Sequence, residues 1–444
     1  MPTIERIDDP PTGTRLRPAA RLNARLRRGL AATGRDFLHL WVAATVSQLG
    51  SQVTLLALPL AAVLDLHADA VQMGLLMAAG TAPSLLVGLL AGAWVDRLRR
   101  RPLLIAADLG RAALLATIPV AWLLGALHME LLYVVSFLAG LLTVFFDVAQ
   151  LALVPALVSR GALVAASSRL RASDATAQVA GPGLAGVLVG AVGAPLAIVA
   201  DAASFLASAG LIVRIRAQEV PRPAEVQPRL RREIGEGLRV VLGSPYLRAM
   251  AGASATTSLF GYVFLAVYVL YLDRDLHLGP TAIGLVFGCG GVGSLLGSAL
   301  AEPAARRFGT GATIVAGRIL FGLGGLTIPL AIYFPRHALP LVLASEFLQW
   351  GMLVIADVNQ LGLRLALTPA RLQGRVNATV RFLTAGMVPI GSLIGGALGQ
   401  VLGYPTALVV GALGMLTAAA WFAGSPVPRL RAMPDPAGEE TVED

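Results

Sequence analysis

Gly92-Ala93-Trp94-Val95-Asp96-Arg97-Leu98-Arg99-Arg100-Arg101-Pro102 is a knot of positive charge with one aspartate, set between two long apolar runs. An arginine cluster is costly in hydrocarbon, so this turn belongs outside a bilayer core. Pro102 restricts the backbone where the next helix starts. Basic residues accumulate in the cytoplasmic loops of membrane proteins, so the turn is expected to face the cytoplasm. That orientation fixes the sidedness of every other segment.

Composition agrees with a membrane setting. The chain has 444 residues, 56% hydrophobic and 14% charged, with a mean hydropathy of +0.73. A soluble domain carries about 25% charged residues. Apolar runs of about 20 residues recur between positions 37 and 422, the pattern of a polytopic helical membrane protein. The formal charge of +9 comes from arginines in the short segments between these runs. It reads as topology and attraction to anionic lipid headgroups, not as nucleic-acid binding.

All 35 basic residues are arginine. Without lysine there is no P-loop and no Schiff base, so ATP-driven transport by this polypeptide alone is not expected. Cys289 is the one cysteine, so no intrachain disulfide or thiolate cluster can form. His39, His67, His128, His277 and His337 have no metal-ligand spacing. No metal, cofactor or enzymatic activity is expected. Residues 1–35 lack the apolar core of a secretory signal.

The expected fold class is an all-α membrane protein with twelve transmembrane helices in two pseudo-symmetric six-helix halves. Residues 1–35 form a basic arm, loosely ordered on the cytoplasmic surface, and 36–213 the first half. Residues 214–245 are an arginine- and proline-rich linker with a short amphipathic helix near 231–242. Residues 246–424 form the second half and 425–444 a polar tail. Loops on the far side then hold only Arg274 and Arg336, which places both termini in the cytoplasm.

The halves repeat. Asp147-Val148-Ala149-Gln150-Leu151-Ala152-Leu153 returns 210 residues later as Asp357-Val358-Asn359-Gln360-Leu361-Gly362-Leu363. The same offset relates Arg171 to Arg381, Gly181 to Gly391, Gly186 to Gly396, Gly193 to Gly403 and Pro195 to Pro405. Gly92 and Arg101 are echoed by Gly297 and Arg306. Two homologous halves related by an axis along the membrane normal place a substrate site between them, near the midplane.

In these motifs the sequence resembles the major facilitator superfamily over about residues 36–424. Gly92, Asp96, Arg97, Arg100 and Arg101 match its G-x-x-x-D-R-x-G-R-[KR] signature; Arg99 replaces the second glycine. Gly181-Pro182-Gly183-Leu184-Ala185-Gly186 resembles its G-P-x-x-[AG]-G antiporter motif. Together with Phe145-Phe146-Asp147 and Asp201-Ala202-Ala203-Ser204-Phe205, it looks most like the drug-efflux branch with macrolide and enterobactin exporters.

The resemblance implies secondary efflux of a small hydrophobic or amphipathic compound by alternating access, in exchange for protons. It implies a monomer in a bacterial inner membrane, whose partners are the small substrate, protons and lipids. Nutrient symport and a non-transporting sensor on the same fold are the competing readings. In the family the arginine turn is a conformational latch: Gly92, Asp96, Arg97, Arg100 and Arg101, with Asp96 against the eleventh span and Arg97 or Arg100 pairing with Asp147. Asp357 with Arg306 or Arg364 is the corresponding device of the second half. Gly181, Pro182, Gly183, Ala185 and Gly186 imply a bend that seals the cavity, and also serve tight helix packing.

The residues themselves suggest further candidates. Proton coupling needs a carboxylate that alternates between two sides, and a carboxyl kept from water holds its proton more tightly. Glu346, Asp357 and Arg364 are eleven and seven residues apart, on one helical face. Glu346 is the first candidate, before Asp201 and Asp357. Trp41, Thr45, Gln48 and Gln52 make a polar stripe in the first span, suited to a cavity or to hydrogen bonds between helices. Gln48, Gln52, Tyr262, Tyr268 and Trp350 are the substrate-cavity candidates. Aromatics this close to a membrane interface are more often belt anchors, the other reading of the last three.

Overall fold

The computed structural model describes residues 18–95, 98–217 and 230–434. Among them, twelve helical segments are long and apolar enough to cross a membrane. The first six are α1 (Pro18–Leu64), α2 (Ala70–Val95), α3 (Arg100–Leu123), α4 (Met129–Leu157), α5 (Leu163–Val192) and α6 (Ala194–Ile212). After the short α7 (Leu230–Gly243) come α8 (Pro245–Leu270), α9 (Pro280–Phe308), α10 (Thr310–Thr327), α11 (Ala338–Leu367), α12 (Ala370–Leu402) and α13 (Tyr404–Thr417). A short α14 (Ala420–Ala423) prolongs the last span. An even number of crossings returns the chain to the side on which it entered.

Local chemistry explains the corners. α5 meets α6 through Gly193 (φ 85°, ψ 158°), and α12 meets α13 through Gly403 (φ 83°, ψ 160°). An L side chain is strained in that conformation, and Pro195 and Pro405 then start each new helix. Within α1, Gly34 (φ 77°) separates the membrane span from a helical segment beginning at Pro18, where a loosely ordered arm was expected. Leucine, alanine and arginine dominate that segment, and all are good helix formers. α7 docks on the start of α12, where Arg375 pairs with Glu236.

The two sets of six pack mainly within themselves and meet along two helix pairs, α2 with α12 and α5 with α9. Both seams rest on facing glycines, Gly74 with Gly396 and Gly186 with Gly284. A Cβ on Gly284 would lie 2.5 Å from the Gly186 Cα, and one on Gly396 would lie 3.1 Å from the Gly74 Cα. Adding 210 to 74 gives 284, and adding 210 to 186 gives 396, so the seams are copies related by the pseudo-two-fold axis.

The buried apolar core reveals the shape of the molecule. At the end carrying the α1–α2 and α8–α9 turns, one cluster runs through both halves, from Val53 and Met73 to Tyr271 and Leu408. At the arginine-turn end it divides, with Phe37, Leu104 and Leu153 in one half and Met250, Leu363 and Phe422 in the other. Arg274 fastens the joined end: it donates to Ala68 O at 2.8 Å and to the Tyr404 hydroxyl at 2.9 Å. The bundle is closed at that end and cleft at the other.

Candidate functional site

The cleft leads to a central cavity with two lobes that share Arg381. The lobe of the second half encloses 460 Å³. Tyr262, Phe264, Tyr268, Phe287, Phe321 and Trp350 make its deep end aromatic. Phe264 and Tyr268 stand 5.2 Å apart by ring centroids, and Tyr268 meets Phe287 edge-on at 5.6 Å, geometries that aromatic pairs favour.

Glu346 lies among these rings with 1% of its surface exposed. Its Oε2 faces Gly290, with the Tyr268 hydroxyl and Trp350 close by. Neither Glu346 Oε2 nor the Tyr268 hydroxyl makes a well-formed hydrogen bond among the described residues. A buried carboxyl oxygen without a donor is costly, so the site is held by the packing around it.

Toward the mouth the wall becomes charged. Arg318 is 2% exposed and donates to the Asp357 carboxylate, to Gln360 Oε1 at 3.0 Å and to the Thr257 hydroxyl at 3.3 Å. Gln360 in turn donates to Ser254 Oγ at 2.8 Å and Met250 O at 3.2 Å, which ties α8, α10 and α11 together. Asp357 is therefore held by Arg318, not by Arg306 or Arg364 as the sequence suggested. Arg306 is taken by Glu302 one turn back on its own helix. Arg318 wins Asp357 because α10 lies directly against α11.

The other lobe, of 600 Å³, is the more polar of the two, with Gln48, Ser51, Gln52, Thr143, Asp147, Gln150, Arg171 and Asp174 set among apolar side chains such as Leu55 and Val154. Arg111 pairs with Asp108 and lies over the Phe146 and Phe205 rings at 4.3 and 4.1 Å. Asp147 is in the cavity wall, where the charges that reach it are Arg111, Arg381 from the other half, and the like charge of Asp174. The pairing expected of it with Arg97 or Arg100 involves a turn whose Asp96 and Arg97 lie outside the described residues.

The polar stripe of α1 serves both of its possible uses. Trp41 Nε1 and the Thr45 hydroxyl donate to Ser173 of α5 at 2.9 and 3.0 Å, while Gln48 and Gln52 line the cavity. Asp201 is away from the cavity: it accepts from Thr54 at 2.5 Å and Ser204 at 3.1 Å, between α1 and α6. Of the latch residues, Asp96 and Arg97 lie outside the described residues, and Gly92 is in the last turn of α2. Arg101 caps α6, donating to Ile212 O and Val213 O. Arg100 opens α3.

The antiporter-type motif lies on the α5–α9 seam. Gly288 faces the backbone at Gly183, Gly186 and Gly284 face each other, and Gly181 lets α1 approach at Gln52. Pro182 and Ala185 are buried beside them. Arg318 and Arg274 escaped the sequence reading as site residues. The signal for Arg318 was present, since it is the lone charge in an otherwise uncharged membrane helix.

A family model described as transmembrane secretion effector matches residues 32–440. The multidrug efflux pump Tap of Mycolicibacterium fortuitum is 28% identical over 384 residues, 84% of this chain and 91% of that protein. A bacterial homologue of the iron transporter ferroportin, solved in an inward-facing state, superposes with a TM-score of 0.70 at 19% identity, covering 88% of this chain and 98% of that one. The outward-facing state of a bacterial ferroportin homologue gives 0.57 at 19% identity, with 87% and 98% coverage.

Proposed function

The chain belongs to the transmembrane secretion effector family of major facilitator transporters, and from that premise we propose that it exports a small amphipathic compound in exchange for protons. The observation that carries this reading is the placement of Glu346: one buried carboxyl at the aromatic, closed end of a cavity that is open only at the other end. The arginine turn puts the open end toward the cytoplasm. Cargo then enters from inside, its apolar part against Tyr262, Tyr268 and Trp350 and its polar part toward Gln48 and Gln52. When the two glycine seams part and the cleft closes, Glu346 meets the outside, takes a proton and releases the cargo. The return swing delivers the proton inward. The higher TM-score to the inward-facing neighbour supports this assignment of sides, and the efflux activity named for Tap supports the direction.

Everted membrane vesicles test it. Respiring vesicles containing the protein are expected to accumulate dansyl-glycinamide, a neutral fluorescent amphiphile, and to lose it on adding an uncoupler. Glu346→Gln is expected to abolish accumulation while leaving expression intact. Accumulation indifferent to the uncoupler, or normal in Glu346→Gln, contradicts proton exchange through this residue.

A further inference from the structure

The charges at the mouth of the second-half lobe do not balance. Arg318, Arg364 and Arg381 line it together with one carboxylate, Asp357, which Arg318 already holds. Glu346 cannot serve the other two, because eleven residues of α11 set it about 16 Å deeper than Asp357. The guanidinium groups of Arg364 and Arg381 make no hydrogen bond or ion pair among the described residues, and the Arg364 Nε is buried without a partner. Across the cavity stand Asp147, which the charge of Arg381 reaches, and Asp174, which the charge of Arg171 reaches. Two turns separate Asp357 from Arg364, so the positive surface extends about 10 Å along the cavity. A guanidinium is a fixed fork that suits carboxylate, sulfonate or phosphate oxygens, and it remains charged at any physiological pH.

We propose that Arg364 and Arg381 form an anion subsite, and that the cargo is an apolar compound bearing an acidic group. This rests on the export reading above and specifies its substrate class. The apolar body occupies the aromatic end beside Trp350, and the acidic group sits between the arginines. The surplus positive charge disfavours a free cation as cargo. Closing the cleft brings Asp147 and the bound anion into competition for Arg381.

A matched pair of probes tests the subsite. Dansyl-glycine carries a carboxylate where dansyl-glycinamide carries a neutral amide. Binding to the purified full-length protein in phosphatidylcholine nanodiscs is read from tryptophan-sensitised dansyl emission, with Trp350→Phe identifying the signal that originates in the cavity. The acid is expected to bind about tenfold more tightly than the amide, the scale of one charge-assisted hydrogen-bonded contact. Arg364→Gln and Arg381→Gln are each expected to cut that preference several-fold by weakening the acid, with Arg381→Lys recovering part of it. Equal affinities, binding of neither probe, or an unchanged preference in both glutamine variants overturns the subsite. Displacement of the acid by phosphatidylglycerol in the nanodisc also overturns it, by assigning the arginines to lipid. These outcomes are separate from the export reading, which fails instead on loss of uncoupler-sensitive accumulation.

Discussion

Arg318 shows how much one side chain can organise. Its fork holds Asp357, Gln360 and Thr257 at once, and so fixes α8, α10 and α11 against each other beside the cavity. An ammonium group cannot reproduce that fork. Arg318→Lys is expected to destabilise the detergent-solubilised protein by about 1–3 kcal/mol, because Gln360 and Thr257 lose a buried partner. Asp357 adds little to this cost, since its side chain is 53% exposed and water can reach it. Thermal unfolding followed by tryptophan fluorescence measures the loss, and an unchanged Tm refutes this role. Arg318 went unread in the sequence, where it is only a lone charge within an apolar run. Its partner is 39 residues away on another helix, and pairings at that range follow from packing rather than from spacing. Glu346 was legible because its spacing to Asp357 and Arg364 lies within one helix, and all three do line the cavity. Asp147 was read as part of the latch; it lines the cavity wall, on a face of α4 that spacing within its own helix does not specify.

Among the helices, α9 is the link between seam and carboxyl. Gly284, Gly288 and Gly291 face α5, while Gly290, Gly293 and Gly297 face α11, where Gly290 meets Glu346 and Trp350. Both sets repeat at three and four residues, so one helix carries two close-packed faces. Movement of α5 past α9 is therefore felt at Glu346. A methyl on Gly284 would collide with the backbone of Gly186 and Pro182, which cannot yield as a flexible side chain would. Overpacking costs about 1–3 kcal/mol, or roughly 5–150-fold in the balance between closed and open seams. Gly284→Ala is expected to speed labelling of a cysteine at Leu353, in a Cys289→Ser background, by a membrane-impermeant maleimide added outside intact cells. Arg274→Gln removes both bonds that fasten the closed end and is expected to act in the same direction. Labelling no faster than in the parent would show that neither contact holds that end shut. The motif at 181–186 was legible as a string of residues. Its partner was not, because nothing in the α9 sequence states which of its glycine faces meets the other half.

Across the whole molecule, the apolar core is single at one end and double at the other, so opening one end and closing the other exchanges one arrangement for its mirror. Twelve spans and the repeat at an offset of 210 residues could be read in advance, since both reside in local hydropathy and in the order of residues. The cleft could not, because it depends on how two rigid halves lean on each other. Spin labels at Val164 and Arg371 span the open end, and labels at Leu124 and Tyr333 span the closed end. A bound probe with a proton gradient is expected to shorten the first distance in the same population in which the second lengthens. The most direct test of proton-coupled export is made in proteoliposomes containing a luminal pH dye and no imposed pH gradient. Downhill entry of dansyl-glycinamide through the protein should raise the luminal pH, relative to protein-free liposomes, as protons leave in exchange, and Glu346→Gln should abolish the rise. A fall in luminal pH, or entry with no pH change, would contradict the account.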